Sequence, residues 1–489
     1  MSPSNARPGR IQRRRADPAR GARVPVLPLL AGTAIPWLAA GFTMTAVPRR
    51  GVAQVQPAPT QPAAPGRTAN DALDALLARA RAVNPGLRAA AARVEAARAR
   101  VGPAGLRPDP MLMAGVQNFP VSEPGFADFM TMKMIGVGQT IPYAGKLGLR
   151  RQAAAREVDA AQAALAAAAR QVARDVRGAY YQLAFLDQAL AVVTRNQRVL
   201  GGLVRVAEAR YAVAPAGAQT GGLQDVLRAR VEATRLAEQA VALTEQRRAA
   251  LAALNATLDQ PSDTPVASPR VPERIARAAV ADSAQHVRFA SAALGARAAD
   301  SPLPPLVALQ ETAVRESPAL REHEAMVAAQ AARLQLAQRE HLPDVDLALQ
   351  YGQRQGRSDM VTATVSVPLP LQRRRKQDQL VAEAGADLAA LEAEHAAQAS
   401  ALRAEVARLY SELERQRAQL ALYVKAILPQ GRASLASATA AYQTGRAQFA
   451  GLLDSQATLF TYETEYVRTL SDFATTLAEL DRVVGKEVL

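Results

Sequence analysis

Four histidines, no cysteine and many paired carboxylates set the chemistry open to this 489-residue chain. His286, His323, His341 and His395 are scattered. None has the HxxxH or HExxH spacing that turns two imidazoles toward one metal from a single helix face. The lack of cysteine removes disulfides, thiolate ligands, a thiol nucleophile and a lipid-anchored N-terminal cysteine. No glycine-rich loop with a lysine is present to cradle phosphate. Carboxylates sit at helical spacing from arginines, as in Glu405–Arg408, Glu412–Arg415 and Glu414–Arg417, the pattern of a solvated helix face. Neither an enzyme nor a cofactor is expected. The remaining soft donors are methionines, five of the nine falling at Met111, Met113, Met130, Met132 and Met134. Thioethers suit Cu(I) or Ag(I). They also fill irregular apolar gaps, and lipid-facing or packed strands are the expectation for them.

The elements that would carry these residues begin after residue 67. The formal charge is +15, but residues 1–53 hold nine arginines and one aspartate, a net +8, and the other +7 is spread thinly. A nucleic-acid surface would concentrate that charge on one face, so no nucleic-acid partner is expected. Residues 1–53 read as a signal peptide: arginines, an apolar stretch over 24–47, then the small residues Gly51-Val52-Ala53. Residues 54–67 are a Pro/Ala/Gln linker with nothing to bury.

The body is a duplication. Ala80, Pro85 and Leu87 overlay Ala313, Pro318 and Leu320 at an offset of 233, and Val176, Tyr180 and Leu183 overlay Val406, Tyr410 and Leu413 at 230. Pro142 overlays Pro368 at 226. The copies span 68–258 and 303–489, joined by 259–302. Each has a helix of about 20 residues (85–106; 318–340), two strands, a long helix, a tip and a returning helix. The long helix of copy one places Leu183, Leu186, Leu190, Val193, Gln197, Leu200, Val204, Ala207 and Tyr211 at alternating spacings of three and four, a coiled-coil seam. Copy two continues the theme with Leu409, Leu413, Gln416, Leu420, Tyr423 and Ile427. A helix over 148–211 would be roughly 95 Å long.

The strands are expected at 110–119, 343–351 and 361–369, with a further one carrying Ile135, Val137 and Ile141, on whose apolar face Gln139 is an exception. Val361, Ala363, Val365, Val367 and Leu369 alternate with Thr362, Thr364, Ser366 and Pro368, the period of a transmembrane β-strand with lipid on one side and water on the other. Four strands cannot close a barrel, and open edges cannot sit in lipid. The chain must therefore oligomerise.

The stretch from Tyr442 to Tyr466, YQTGRAQFAGLLDSQATLFTYETEY, resembles the helix-turn-helix tip of the TolC family of outer-membrane efflux channels. Tyr442 ends one helix, Thr444-Gly445 breaks it, and Leu452 begins the next. The resemblance covers 68–489 and implies a mainly α fold with a membrane β-barrel: a homotrimer sharing one 12-stranded barrel, four strands per chain, above a long α-helical coiled-coil tunnel. It implies residence in the outer membrane, surrounded by its lipid and with a long periplasmic extension. The partners it implies are a periplasmic adaptor and an inner-membrane pump of the resistance-nodulation-division kind. The periplasmic aperture of the family is ringed by aspartates. Asp454 matches one ring position, while the other, three residues earlier, is Gly451 here. Asp225 overlays Asp454 at an offset of 229, with Gln224 beside it. Arg446 matches a tip arginine that makes gate bonds in relatives. Gly445 in one tip and Gly217, Gly221 and Gly222 in the other, longer tip (212–222) are the expected hinges. MKMIGVGQTIPYAGKLGLRR (132–151) looks like the corresponding segment of heavy-metal efflux channels. The function expected is passive exit of small toxic solutes, heavy-metal ions among them. The alternative is a periplasmic coiled-coil adaptor or structural protein bridging membranes. Adaptors carry a lipoyl-like β-domain within a single hairpin, and neither is found in this sequence.

Overall fold

The computed structural model describes residues 69–489 except 122–124, 127, 214–218, 268 and 281–302. The signal peptide and linker read over 1–67, Gly217 and the second half of the inter-repeat segment (281–302) lie outside the described residues.

Each copy opens with a pair of helices, the second of them started by a proline. Helices α1 (Ala69–Val83) and α2 (Pro85–Ala104) meet at Asn84, whose side chain accepts from the Leu87 N–H at 3.2 Å. Proline suits this first position because its missing N–H would have no partner there. In copy two, after α5 (Glu273–Val280), α6 (Leu306–Glu316) and α7 (Pro318–Arg339) meet at Ser317, again with a proline first in the second helix but with no side-chain cap.

Between the paired short helices and the long ones lies one antiparallel sheet, ordered β1 (Met111–Gln117), β2 (Met132–Ile141), β3 (Val345–Arg354), β4 (Met360–Ser366). Its centre joins the two copies, with Met132 opposite Arg354 and Ile141 opposite Val345. β4 stops three residues short of the expected end. Pro368 and Pro370 follow, and proline cannot donate to a ladder. Cross-strand partners share a face. One face carries the rows Leu112–Val137–Leu349–Ala363 and Ala114–Ile135–Tyr351–Val361. These apolar side chains are exposed, Leu112 to 75 % and Val361 to 69 %. The other face carries Met113–Gly136–Gln350–Thr362 and Gly115–Met134–Gly352–Met360.

α3 (Lys146–Val213) has 68 residues and is therefore about 100 Å long. It packs on α2 and α7 at one end and on the returning helix α4 (Gln219–Thr257) at the other. The predicted seam is buried at Leu183, Leu186, Val193, Leu200 and Ala207, but so are Phe185, Ala189, Val192 and Leu203. The apolar stripe is wider than a two-helix seam because α3 touches both α4 and α10 (Phe449–Val484).

Copy two builds a rod of similar length from α8 (Gln377–Leu422), a π-helical turn Tyr423–Ile427 and α9 (Leu428–Gln443). The Leu428 N–H reaches back five residues to the Tyr423 carbonyl. Pro429 comes next, and its ring would clash with an ordinary helical carbonyl four residues earlier. The widened turn absorbs it.

One core cluster gathers α1, α3, α4, α5, α6, α8 and α10 around Tyr180, Tyr181, Leu413 and Phe473. A second cluster, with Leu200, Val226, Tyr442, Phe449 and Leu452, holds the tip. No helix among the described residues is long and apolar enough to cross a membrane.

Candidate aperture, conduit face and clamps

The copy-two tip is closed by its backbone. Gly445 has φ +74; its N–H donates to Tyr442 O at 3.1 Å and the Arg446 N–H to Ala441 O at 2.9 Å. This is a Schellman cap, which needs a left-handed residue at the place Gly445 occupies. α10 begins at Phe449, three residues before the expected Leu452. The reason is a contact across the turn: the Tyr442 and Phe449 rings lie 5.1 Å apart and both are buried. In the other tip α3 runs to Val213 and α4 starts at Gln219. Gly221 and Gly222 thus fall in the first turn of α4 rather than in the loop.

Asp454 and Gln224 line one groove between α10 and α4, together with Leu227, Arg228, Arg235 and Leu453. Asp454 is exposed and makes no side-chain bond among the described residues. Asp225, next to Gln224, is half-buried and holds an interaction of its own. Arg446 is exposed on the neighbouring turn. Two predicted aperture residues, Asp454 and Gln224, are thereby brought to one surface. The groove also presents arginines to the aspartate, which the sequence comparison of the two tips did not anticipate.

The sheet collects the methionines of β1 and β2 on one face, where they pack over glycines. Register puts Met111, Met113, Met132 and Met134 on the face opposite Leu112, Ile135 and Val137. Glycines make room for them: a Cβ on Gly352 would lie 3.4 Å from the Met132 sulfur, and one on Gly138 would lie 3.2 Å from the Met113 methyl. Gln350 Nε2 is 3.9 Å from the Met113 sulfur. The thioethers therefore share the face of Gln350, Thr362 and Thr364, away from the apolar side.

Three polar clusters escaped the sequence reading. Lys146, 1 % exposed, donates to Asp344 at 2.8 Å and Glu340 at 3.0 Å. It fastens the start of α3 to the turn before β3. Asp344 also accepts from the Tyr143 N–H at 2.9 Å. Burial alone would raise its pKa, but Lys146 and that N–H hold the carboxyl below its ordinary value. Where α3 crosses the C-terminal end of α10, Arg177 bonds Asp481 at 3.2 Å and also Glu487. Asp481 further accepts from the Val488 N–H at 2.8 Å, yet burial pushes its carboxyl up to about 6. Nearer the tip, buried Asn196 and Gln456 bond each other across α3 and α10, and Arg195 bonds Glu463 at 2.7 Å. Polar residues falling inside the apolar register, Asn196 and Gln456 above all, were the available signal. The partners of Lys146 lie 194 and 198 residues away, beyond any local pattern.

Among the described residues no cluster of His, Asp and Glu could hold a metal ion. His323, on a helix, faces Gln398 at 2.6 Å; His341, in the turn after α7, faces Asp378 at 3.5 Å; and His395 lies on a helix. His286 lies outside the described residues.

A family model described as outer membrane efflux protein matches residues 76–259 and 309–486. Among solved structures, the outer-membrane channel OprN is 18 % identical, with 85 % of this chain and 90 % of that one covered at a TM-score of 0.68. VceC, an outer membrane protein from Vibrio cholerae, is 20 % identical, covering 85 % and 97 % at 0.65. CusC, whose structures concern transmembrane channel formation, is 16 % identical, covering 88 % and 98 % at 0.68. These likenesses establish the fold. No curated protein matches the sequence.

Proposed function

The chain belongs to the outer membrane efflux protein family, an outer-membrane location with a long periplasmic helical extension, and we propose that it is the passive exit channel of a tripartite efflux system. Three copies share one 12-stranded barrel. A periplasmic adaptor and an inner-membrane pump of the resistance-nodulation-division kind complete the assembly, and the pump supplies the energy. The observation that carries this reading is the four-stranded sheet. It is apolar and exposed on one face, free at both edges, and set on helices about 100 Å long. Such edges are tolerable in lipid only when paired.

In this reading Asp454, Asp225, Gln224 and Arg446 form the periplasmic aperture, with Gly445 as its hinge. Three copies of Asp454 make a negative ring, a common device for admitting cations. For cargo we propose small toxic solutes that include soft metal ions. The support is the methionine face of the sheet, which in a closed barrel points inward, and the affinity of thioethers for Cu(I) and Ag(I).

The test is the protein purified from membranes in detergent, its mass, and its current in a planar bilayer. A trimer with a small conductance that rises on Asp454→Ala is expected. Silver ion should reduce the current, and the triple change Met113→Leu, Met132→Leu, Met134→Leu should abolish that reduction. A soluble, non-conducting monomer would sink the channel. A silver response indifferent to the methionines would sink the cargo class alone.

A further inference from the structure

The Lys146 clamp has a second, unpaired counterpart split between the two edges of the sheet. The clamp joins the turn after β2 (residues 142–146) to the turn before β3 (residues 340–344). The duplication repeats both turns. Pro142 overlays Pro368 at an offset of 226, and Pro108-Asp109 overlays Pro343-Asp344 at 235. The counterpart turns therefore lie after β4 and before β1, on opposite edges, where one chain cannot bring them together. The side chains there are complementary. Asp109 is exposed at the β1 edge, and Arg373, Arg374, Arg375 and Lys376 are exposed beyond β4. Among the described residues Asp109, Arg374, Arg375 and Lys376 make no side-chain bond, and Arg373 comes only within 3.9 Å of Asp378.

The same offsets predict how the edges meet. In the β2–β3 ladder Ile141 lies opposite Val345 and Met132 opposite Arg354. Carried over by 226 and 235, that ladder sets Ser366 opposite Met111, Val365 opposite Leu112, Ala363 opposite Ala114 and Met360 opposite Gln117. Two features of the result were not built into it. The two seven-residue edge strands overlap over their whole length. The exposed apolar residues Val365 and Leu112 also land on the same face, whereas a slip of one residue would have set apolar against polar.

We propose that β4 of one copy pairs antiparallel with β1 of the next in this register. Asp109 of the neighbouring copy takes the place of Asp344 and is held by the basic run Arg373–Lys376. The occupant of each edge is a second copy of this chain, so the inference rests on the trimeric reading and adds its register and its ionic lock. Gln372 stands where Lys146 stands in the other copy, so the cation comes from the run just beyond it.

The absence of cysteine makes the test direct. Directly opposed residues have Cα atoms about 4.5–5.5 Å apart, within disulfide reach, while diagonal neighbours about 7–8 Å apart are outside it. Oxidation of membranes carrying Leu112→Cys with Val365→Cys should yield covalent dimers and trimers. Leu112→Cys with Ala363→Cys should not. Asp109→Lys should lose the detergent-resistant trimer at a temperature the unmodified protein survives, and adding Arg374→Glu and Arg375→Glu should restore it. A trimer by mass that cross-links at the 112–363 pair, or at neither, overturns the register and leaves the trimer standing. Unchanged heat resistance of Asp109→Lys overturns the lock. An unmodified protein that is not trimeric by mass overturns both readings.

Discussion

Lys146 shows how much of the barrel-to-tunnel joint depends on one side chain. Its ammonium is buried and answers two carboxylates, Glu340 and Asp344. Removing Lys146 leaves two neighbouring carboxylates, 35 % and 28 % exposed, without the buried charge that holds them together. Lys146→Met should therefore destabilise the folded chain by about 3 kcal/mol, measured by denaturant unfolding of the detergent-solubilised protein. The double change Lys146→Met, Asp344→Asn should recover part of that loss. Asp481 predicts a pH effect of opposite sign to the usual carboxylate. Its folded pKa is raised from 3.8 to about 6, so between those values the folded state holds the proton more tightly than the unfolded one. Stability from this group is present below pH 4, declines as pH rises toward 6 and is flat above it. About two pKa units correspond to about 3 kcal/mol. Other carboxylates, Glu405 and Glu412 among them, are lowered by their arginines and pull the other way. The measurement is consequently a difference: Asp481→Asn should gain in melting temperature relative to the unmodified protein between pH 4 and pH 6, and hold that gain at pH 7. An equal shift at every pH would remove titration of Asp481 as the cause.

At the scale of the element, the tip is the most exacting turn of the chain. Gly445 holds a left-handed φ of +74, which costs a residue with a Cβ about 1–2 kcal/mol. Gly445→Val should raise amide exchange over 442–449 while the trimer keeps its mass, since the core around Tyr180 and Phe473 is a separate cluster. The sequence made this break legible because glycine after a helical run has a known geometric use. It did not show that α10 begins at Phe449. That start depends on an aromatic contact with Tyr442 across the turn, and contacts have no period. The same division runs through the other elements. Strand position followed from alternation over Val361–Val365, but the end of β4 was set by Pro368 and Pro370. The long helices followed from the spacing of Leu183, Val193 and Leu200. The π turn at Tyr423 instead follows from Pro429, a helix-interior proline that the periodic reading passed over. The shared face of the methionines was legible in principle: Met111 and Met113 alternate with Leu112, and parity alone separates their faces.

The whole molecule is a duplication whose two halves meet at the β2–β3 ladder and whose outer edges remain open. That arrangement separates two environments across one sheet only a single layer thick, and single substitutions can report on each. Val365 is 68 % exposed on the apolar face; Thr364, its neighbour, points to the face of Gly138 and Ala348. In a barrel closed by three copies the first meets lipid and the second meets the aqueous passage. A lysine on the lipid side of a barrel strand costs about 2–4 kcal/mol near the midplane, and a trimer carries the substitution three times. Val365→Lys should therefore sharply reduce the amount of trimer recovered from outer membranes. Thr364→Lys should leave recovery intact and instead shift the current toward anions in the planar bilayer. Both variants add the same charge within one residue of each other, so differential recovery reports the face rather than the charge. Equal recovery of the two would mean that the sheet does not divide lipid from water, and the exposed apolar rows of Leu112, Val137 and Leu349 would then need a protein partner instead.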